Sequence, residues 1–228
     1  MAQRDYYLVS ALPSLGDLGA IPPLTAADLR GHVAEHRRPL ALVEAILLGD
    51  DLVEREAALA GGIEEVAPAV LTPAQVRDEE PLPPFLATQE DMPAPRVASD
   101  ALWAAYFRHA AAAARREGSP FLTTWVAHEV ALRNALATAR AKALGLDAAE
   151  YLVTPDLGST DEDFGLLLAE WAAAANPLEG LKILTRARWL WLTQHEAWFS
   201  FGDDELAAYA AKLMLLTRWH RLSEGNLP

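Results

Sequence analysis

The sequence predicts a mainly α fold: a multi-helix bundle interrupted by a proline-rich connector. Three observations carry that reading. No run of alternating apolar and polar residues long enough for a strand appears after residue 20. Helix punctuation recurs instead, with Ser119-Pro120 and Asn176-Pro177 at starts and Gly118 and Gly145 at stops. Between these signals lie stretches such as "FLTTWVAHEVALRNALATARAKALG", residues 121–145, whose apolar side chains repeat at helical spacing.

Taken in order, Tyr6, Tyr7, Leu8, Val9, Leu12 and Leu15 open the chain as a short strand or a helical turn; periodicity leaves both open. Thr25 reads as an N-cap with Asp28 in the first turn, starting a helix over about 26–38 that Pro39 ends. One or two helices then run to Gly61-Gly62. Residues 68–95 hold seven prolines and five acidic side chains, so no long regular element fits there. Ser99 or Asp100 caps a helix with Leu102, Trp103, Tyr106, Phe107 and Ala110 on one stripe. The 121–145 helix follows. Asp147 starts a short helix and Asp161 another. "NPLE" at 176–179 is a capping sequence for a helix over 177–199, and Asp203 caps the last helix. The chain divides into an acidic helical module (1–67), a proline-rich acidic connector (68–98) and a C-terminal helical bundle (99–228).

Composition narrows the function classes. The net charge is −13, and residues 1–100 carry most of it, with 7 basic against 17 acidic side chains. That balance disfavours nucleic-acid backbones and anionic membranes and favours a basic protein surface. With no cysteine, disulfides and thiolate metal sites are excluded. The N-terminus is a poor signal peptide, and no stretch approaches the roughly 20 apolar residues of a membrane span. The expectation is a soluble cytoplasmic protein.

Charges inside the 121–145 helix are the most informative feature. At about 100° per residue, Glu129, Arg133 and Arg140 fall at about 80°, 120° and 100°, in the middle of the apolar arc. Buried charges persist only when paired. Glu129 and Arg133 have the favourable acid-first spacing of four. Arg140 then needs another acid, and Glu170 is the candidate. Arg188, among Leu181, Leu184 and Leu192, is a further cation of the same kind. "RW" recurs at Arg188-Trp189 and Arg218-Trp219, as in related helical units. The five residues Glu129, Arg133, Arg140, Glu170 and Arg188 read as a buried structural network with no catalytic role, since no nucleophile, metal-ligand set or phosphate loop accompanies them.

"HVAEH", residues 32–36, formally matches a zinc-hydrolase pattern, with His32 and His36 on one helical face and Glu35 as base. Its polar setting and missing third ligand favour a solvated helix end, so no metal and no cofactor is expected. "GDD" at 49–51 and "GDDE" at 202–205 read as acid-rich helix starts.

Four stretches resemble one family: "YYLVSALPSL" (6–15), "WVAHEVALRNALATARAKALGLDAAEYL" (125–152), "NPLEGLKILTRARWLWL" (176–192) and "LAAYAAKLMLLTRW" (206–219). They are similar to a bacterial family of helical proteins encoded beside V/A-type ATPase components. That family itself resembles the C-type component of the ATPase rotor, called d-type in eukaryotes. The resemblance implies a non-catalytic adaptor linking the central shaft to the membrane rotor ring. It also implies rotor subunits as partners and a place at the inner membrane through them. This chain is shorter than a full three-module C-type component. The alternative is a helical chaperone or assembly factor gripping a partner segment in an apolar groove. An enzyme built on the Arg/Glu cluster or the histidine pair ranks third.

Overall fold

The computed structural model describes residues 5–87, 96–196 and 200–223. Among these it contains nine α-helices and no strand, as the sequence predicts. The N-terminus is helical: α1 spans Asp5–Ser10. A reciprocal capping box starts α2 (Ala26–Val33), with Thr25 Oγ1 accepting from Asp28 N at 3.1 Å and Asp28 Oδ2 accepting from Thr25 N at 3.0 Å.

Pro39 does not end that helix. The chain breaks at 34–36 and restarts as α3 (Arg37–Leu59), with Pro39 inside its first turn. There the missing N–H costs nothing, because first-turn donors have no intrahelical acceptor. The segment to Gly61-Gly62 is thus one helix, and Gly61 takes the left-handed backbone just past its end, at φ 72°.

The connector holds the short α4 (Pro73–Val76) and a 3₁₀ turn at Pro84–Leu86. Leu71, Val76 and Leu86 are buried against the rest of the fold. Buried charges of α3 hold this irregular backbone. Asp51 accepts from the N–H groups of Ala69, Val70 and Leu71 at 2.9, 2.7 and 2.7 Å. Glu54 accepts from Ala67 N at 3.0 Å. Arg55 donates to the Gln75 carbonyl and to Asp78, which itself takes a left-handed φ of 63°. Glu90, Asp91, Pro93 and Pro95 lie outside the described residues.

In the second half, α5 (Ala98–Glu117) begins slightly earlier than the expected Ser99 or Asp100 cap, so Asp100 lies within its first turn. Ser119 caps α6 (Pro120–Leu144), accepting from Leu122 N at 3.0 Å, and Gly145 closes it at φ 69°. Asp147 starts a 3₁₀ turn at Ala148–Tyr151 as expected. Asp161 starts no helix: residues 161–164 are irregular, and Asp163 accepts from Gly165 N at 2.8 Å where α7 (Gly165–Ala172) begins. Asn176 caps α8 (Pro177–His195), which stops before the expected 199; residues 197–199 lie outside the described set. Asp203 is the first residue of α9 (Asp203–Ser223) and pairs with Arg38 of α3 at 2.9 Å.

The packing order places the site. α9 and α5 both lie on α3; α6 packs on α5, and α8 on α9. One core cluster draws on all of them, from Leu42 and Ile46 through Phe107, Trp125 and Leu192 to Leu213 and Leu216. Between α3, α5, α6, α8 and α9 the packing leaves a cleft.

Candidate functional site

The cleft encloses about 640 Å³, within the usual range for ligand pockets. Four of the five residues singled out from the sequence line it: Glu129, Arg133 and Arg140 from α6, and Arg188 from α8. Their positions in the apolar arcs of their helices therefore do bring them to one place. Their pairing differs from the expectation.

Glu129 does not bond to Arg133. Its Oε1 accepts from Arg188 Nε at 2.7 Å, across helices. Arg133 donates to Asp100 of α5 at 2.9 Å and lies 4.7 Å over the Trp103 ring. Both pairs are partly buried, with the Glu129 side chain 18% and that of Arg188 15% exposed. A helix wheel gives direction from the axis and not the identity of what stands opposite; a well-placed cation on α8 displaces the local one. Arg140 is exposed, with its guanidinium 5.1 Å from the Trp171 ring centre and no carboxylate partner among the described residues. Glu170 is also exposed and joins no ion pair of the cleft.

Two further groups complete the inner wall. Arg218 of α9 donates to Asp50 of α3 at 2.7 Å. Asp50 is thus a mid-helix ion-pair partner, and "GDD" at 49–51 is no helix start. Trp103 Nε1 donates to Glu56 at 2.8 Å. Tyr106 lies buried beside these pairs. Burial above all, with the Glu129 charge adding, pushes its hydroxyl well above the usual phenol range, so it stays a protonated donor. Gly49 makes room for it: a Cβ there would stand 2.7 Å from Tyr106 Oη. Burial alone would raise the Glu129 carboxyl, but the Arg188 charge and hydrogen bond outweigh it, and the group is held below the usual carboxylate range.

His128 of α6 is buried. Its Nδ1 donates to Glu162 at 2.5 Å, and its ring stacks on Trp191 at 4.5 Å, which stacks on His195 at 4.0 Å. Burial lowers its pKa, against the opposing pull of Glu129 and Glu162. The loop holding Glu162 and helix α8 cover this face, which the periodicity of α6 alone does not reveal. A smaller hollow of about 340 Å³ adjoins it, lined by Thr124, Ser159, Glu162 and His195 among others.

The histidines of "HVAEH" do not share a helical face. His32 belongs to α2 and donates to the Leu8 carbonyl at 2.9 Å, while His36 precedes α3 after the chain break. Among the described residues, no group of three His, Asp or Glu side chains has the geometry to hold a metal.

Chemically, the cleft offers an aromatic and aliphatic wall, three charge pairs already closed on themselves, the Glu56 carboxylate held by the Trp103 N–H, and Arg140 without a carboxylate partner among the described residues. The residues that sequence reasoning missed here are Asp50, Asp100, Glu56 and Tyr106. Only Arg218 carried a signal, through the repeated Arg-Trp pair. No protein-family model matches the chain, and no curated protein and no solved structure matches it significantly.

Proposed function

We propose that this chain is a non-catalytic adaptor or coupling subunit of a V/A-type ATPase, joining the central shaft to the membrane rotor ring. The observation that carries this reading is where the resembling stretches fall. Residues 125–152, 176–192 and 206–219 belong mostly to α6, α8 and α9, and these helices together line the cleft. A surface with paired charges and large aromatic walls suits recognition better than bond-making, because its ions already have partners. The acidic first hundred residues add a steering field toward a basic partner surface. On this reading the protein meets the membrane only through its partner subunits; no helix among the described residues is long and apolar enough to cross one.

Affinity purification from native extract tests the proposal. Recovery of rotor-shaft or ring subunits in a stable complex, formed more slowly as salt rises, is the expected result. Recovery of nucleic acid, or of no ATPase subunit, would contradict it. Exposed Leu144, Leu146 and Leu181 at the cleft mouth favour a second reading, a chaperone or assembly factor that grips a partner segment. Transient binding of unfolded clients, without stable rotor complexes, would select that reading.

A further inference from the structure

Two hydrogen-bond donors at the inner wall of the cleft have nothing to bond. Tyr106 is only 6% exposed, yet it lines the cleft, and its hydroxyl has no hydrogen-bond partner among the described residues. Burial keeps that hydroxyl protonated, so it is a standing donor. It lies where Gly49, another lining residue, has no side chain. Arg218 lines the same wall. Its terminal nitrogen donates to Asp50 at 2.7 Å, while its Nε is buried without a partner among the described residues. Buried donors are nearly always met, and a donor unmet by its own chain at a cavity wall is placed for an acceptor from outside.

The charges around this wall cancel. The lining holds Arg133, Arg140, Arg188 and Arg218 against Glu56, Asp100 and Glu129, and Asp50, which closes Arg218, is the fourth acid. Of these, Glu56 has no cation and Arg140 no carboxylate among the described residues. The two stand apart. Glu56 is held at Trp103, over which Arg133 lies, and Arg140 is two turns, about 10 Å, further along α6. A net charge of either sign is attracted at one of these points and repelled at the other. The desolvation of an ion is then left without a compensating partner, so the cleft favours an uncharged occupant. The rest of the wall is apolar, with Phe107, Trp125, Leu136 and Met214 among its residues.

We infer that the cleft binds a small uncharged molecule with an apolar body and an acceptor oxygen, such as a ketone or amide carbonyl, that takes a hydrogen bond from the Tyr106 hydroxyl. The body covers the wall beside Phe107 and Trp125. Water can also serve the hydroxyl, but only by wetting that wall; a ligand oxygen meets the donor while the ligand body keeps the wall dry. The inference goes beyond the adaptor reading and does not rest on it. It concerns a small molecule inside the protein and leaves the acidic outer surface to a protein partner.

The test uses the full chain and four probes that share a naphthalene body: naphthyl methyl ketone, ethylnaphthalene, naphthoate, and naphthylmethylamine, which is cationic at neutral pH. Binding is read from the Trp103 indole N–H resonance, assigned by its loss in Trp103→Phe. The ketone and ethylnaphthalene should both shift it, and the two ions should bind more weakly than the ketone. In Tyr106→Phe the ketone should lose about five- to tenfold in affinity while ethylnaphthalene loses nothing. Urea unfolding of Tyr106→Phe should match wild type, because the hydroxyl bonds to nothing in the protein. Failure of both neutral probes, an ion that outcompetes the ketone, or a ketone affinity indifferent to Tyr106→Phe would overturn the inference. So would an equal loss for ethylnaphthalene, which would make the hydroxyl a packing element, or a clear loss of stability in Tyr106→Phe, which would give it to the fold. Recovery of rotor subunits in the pull-down bears on the adaptor reading alone, and the probes bear on this site alone.

Discussion

In the second half of α3, Asp51, Glu54 and Arg55 turn inward and close on the segment 67–78, mostly on its backbone. In α6, Glu129 and Arg133 turn toward a cavity and close on side chains of other helices. Both regions put charges into an apolar arc, with different consequences. The α3 charges replace the secondary structure that a proline-rich segment cannot make for itself, supplying acceptors for its orphan N–H groups. The α6 charges are neutralised in pairs with their neighbours and leave space between them. The first region is closed by its charges; the second is kept open around them.

The largest expected effect is in the closed region. Asp51→Ala strands three N–H groups at once, and urea unfolding at neutral pH should show a loss on the order of 3 kcal/mol. Asp51→Asn keeps one acceptor oxygen and should lose less than half of that. A near-neutral Asp51→Ala would erase the contrast, since the connector would then hold itself.

The same residue gives the closed region a pH signature. Burial raises the Asp51 carboxyl to about 6 despite the opposing backbone hydrogen bonds. A raised acid binds its proton more tightly folded than unfolded. Its contribution is therefore full below about pH 4 and is lost as pH rises through about 6. The stability of wild type relative to Asp51→Asn should fall across that window. Glu129 has the opposite sign: held low by Arg188, it contributes above the ordinary carboxylate range and loses that contribution as pH falls through its depressed value. Stability curves of Asp51→Asn and Glu129→Gln that diverge from wild type in the same direction on acidification would break the comparison.

Next in size is the open region. Glu129→Ala leaves Arg188 without its carboxylate, but the pair faces a cavity and Arg133 keeps Asp100. The expected loss is about 2 kcal/mol, short of the roughly 3–5 typical of a fully buried pair. Smallest of all is Glu170→Ala, which should stay within about 0.5 kcal/mol of wild type in the same assay. A large loss there would restore Glu170 to the network from which its exposure removes it.

These cases also show what the sequence carried. The helical fold and most helix ends were legible, because caps such as Thr25, Ser119, Asn176 and Gly145 act locally. Glu129, Arg133 and Arg188 were legible as inward charges, because the wheel of a long packed helix is reliable. Glu170 escaped because its wheel neighbour Leu166 is itself 90% exposed, so apolar neighbours on the short α7 did not mark a buried face. Arg140 points toward the cleft, but near the C-terminal end of α6 its guanidinium is exposed and meets no carboxylate among the described residues. Asp51 was invisible: its partners are backbone amides 18–20 residues on, which no side-chain pattern announces.

Closure of the α6 charges across helices is what sets the charge pattern of the cleft wall. A double-mutant cycle by urea unfolding measures that closure. Glu129→Ala with Arg188→Ala should show a coupling of about 1 kcal/mol or more, while Glu129→Ala with Arg133→Ala should be additive within about 0.5 kcal/mol. Strong coupling of Glu129 to Arg133, with none to Arg188, would contradict the account and return the pairing to a single helix.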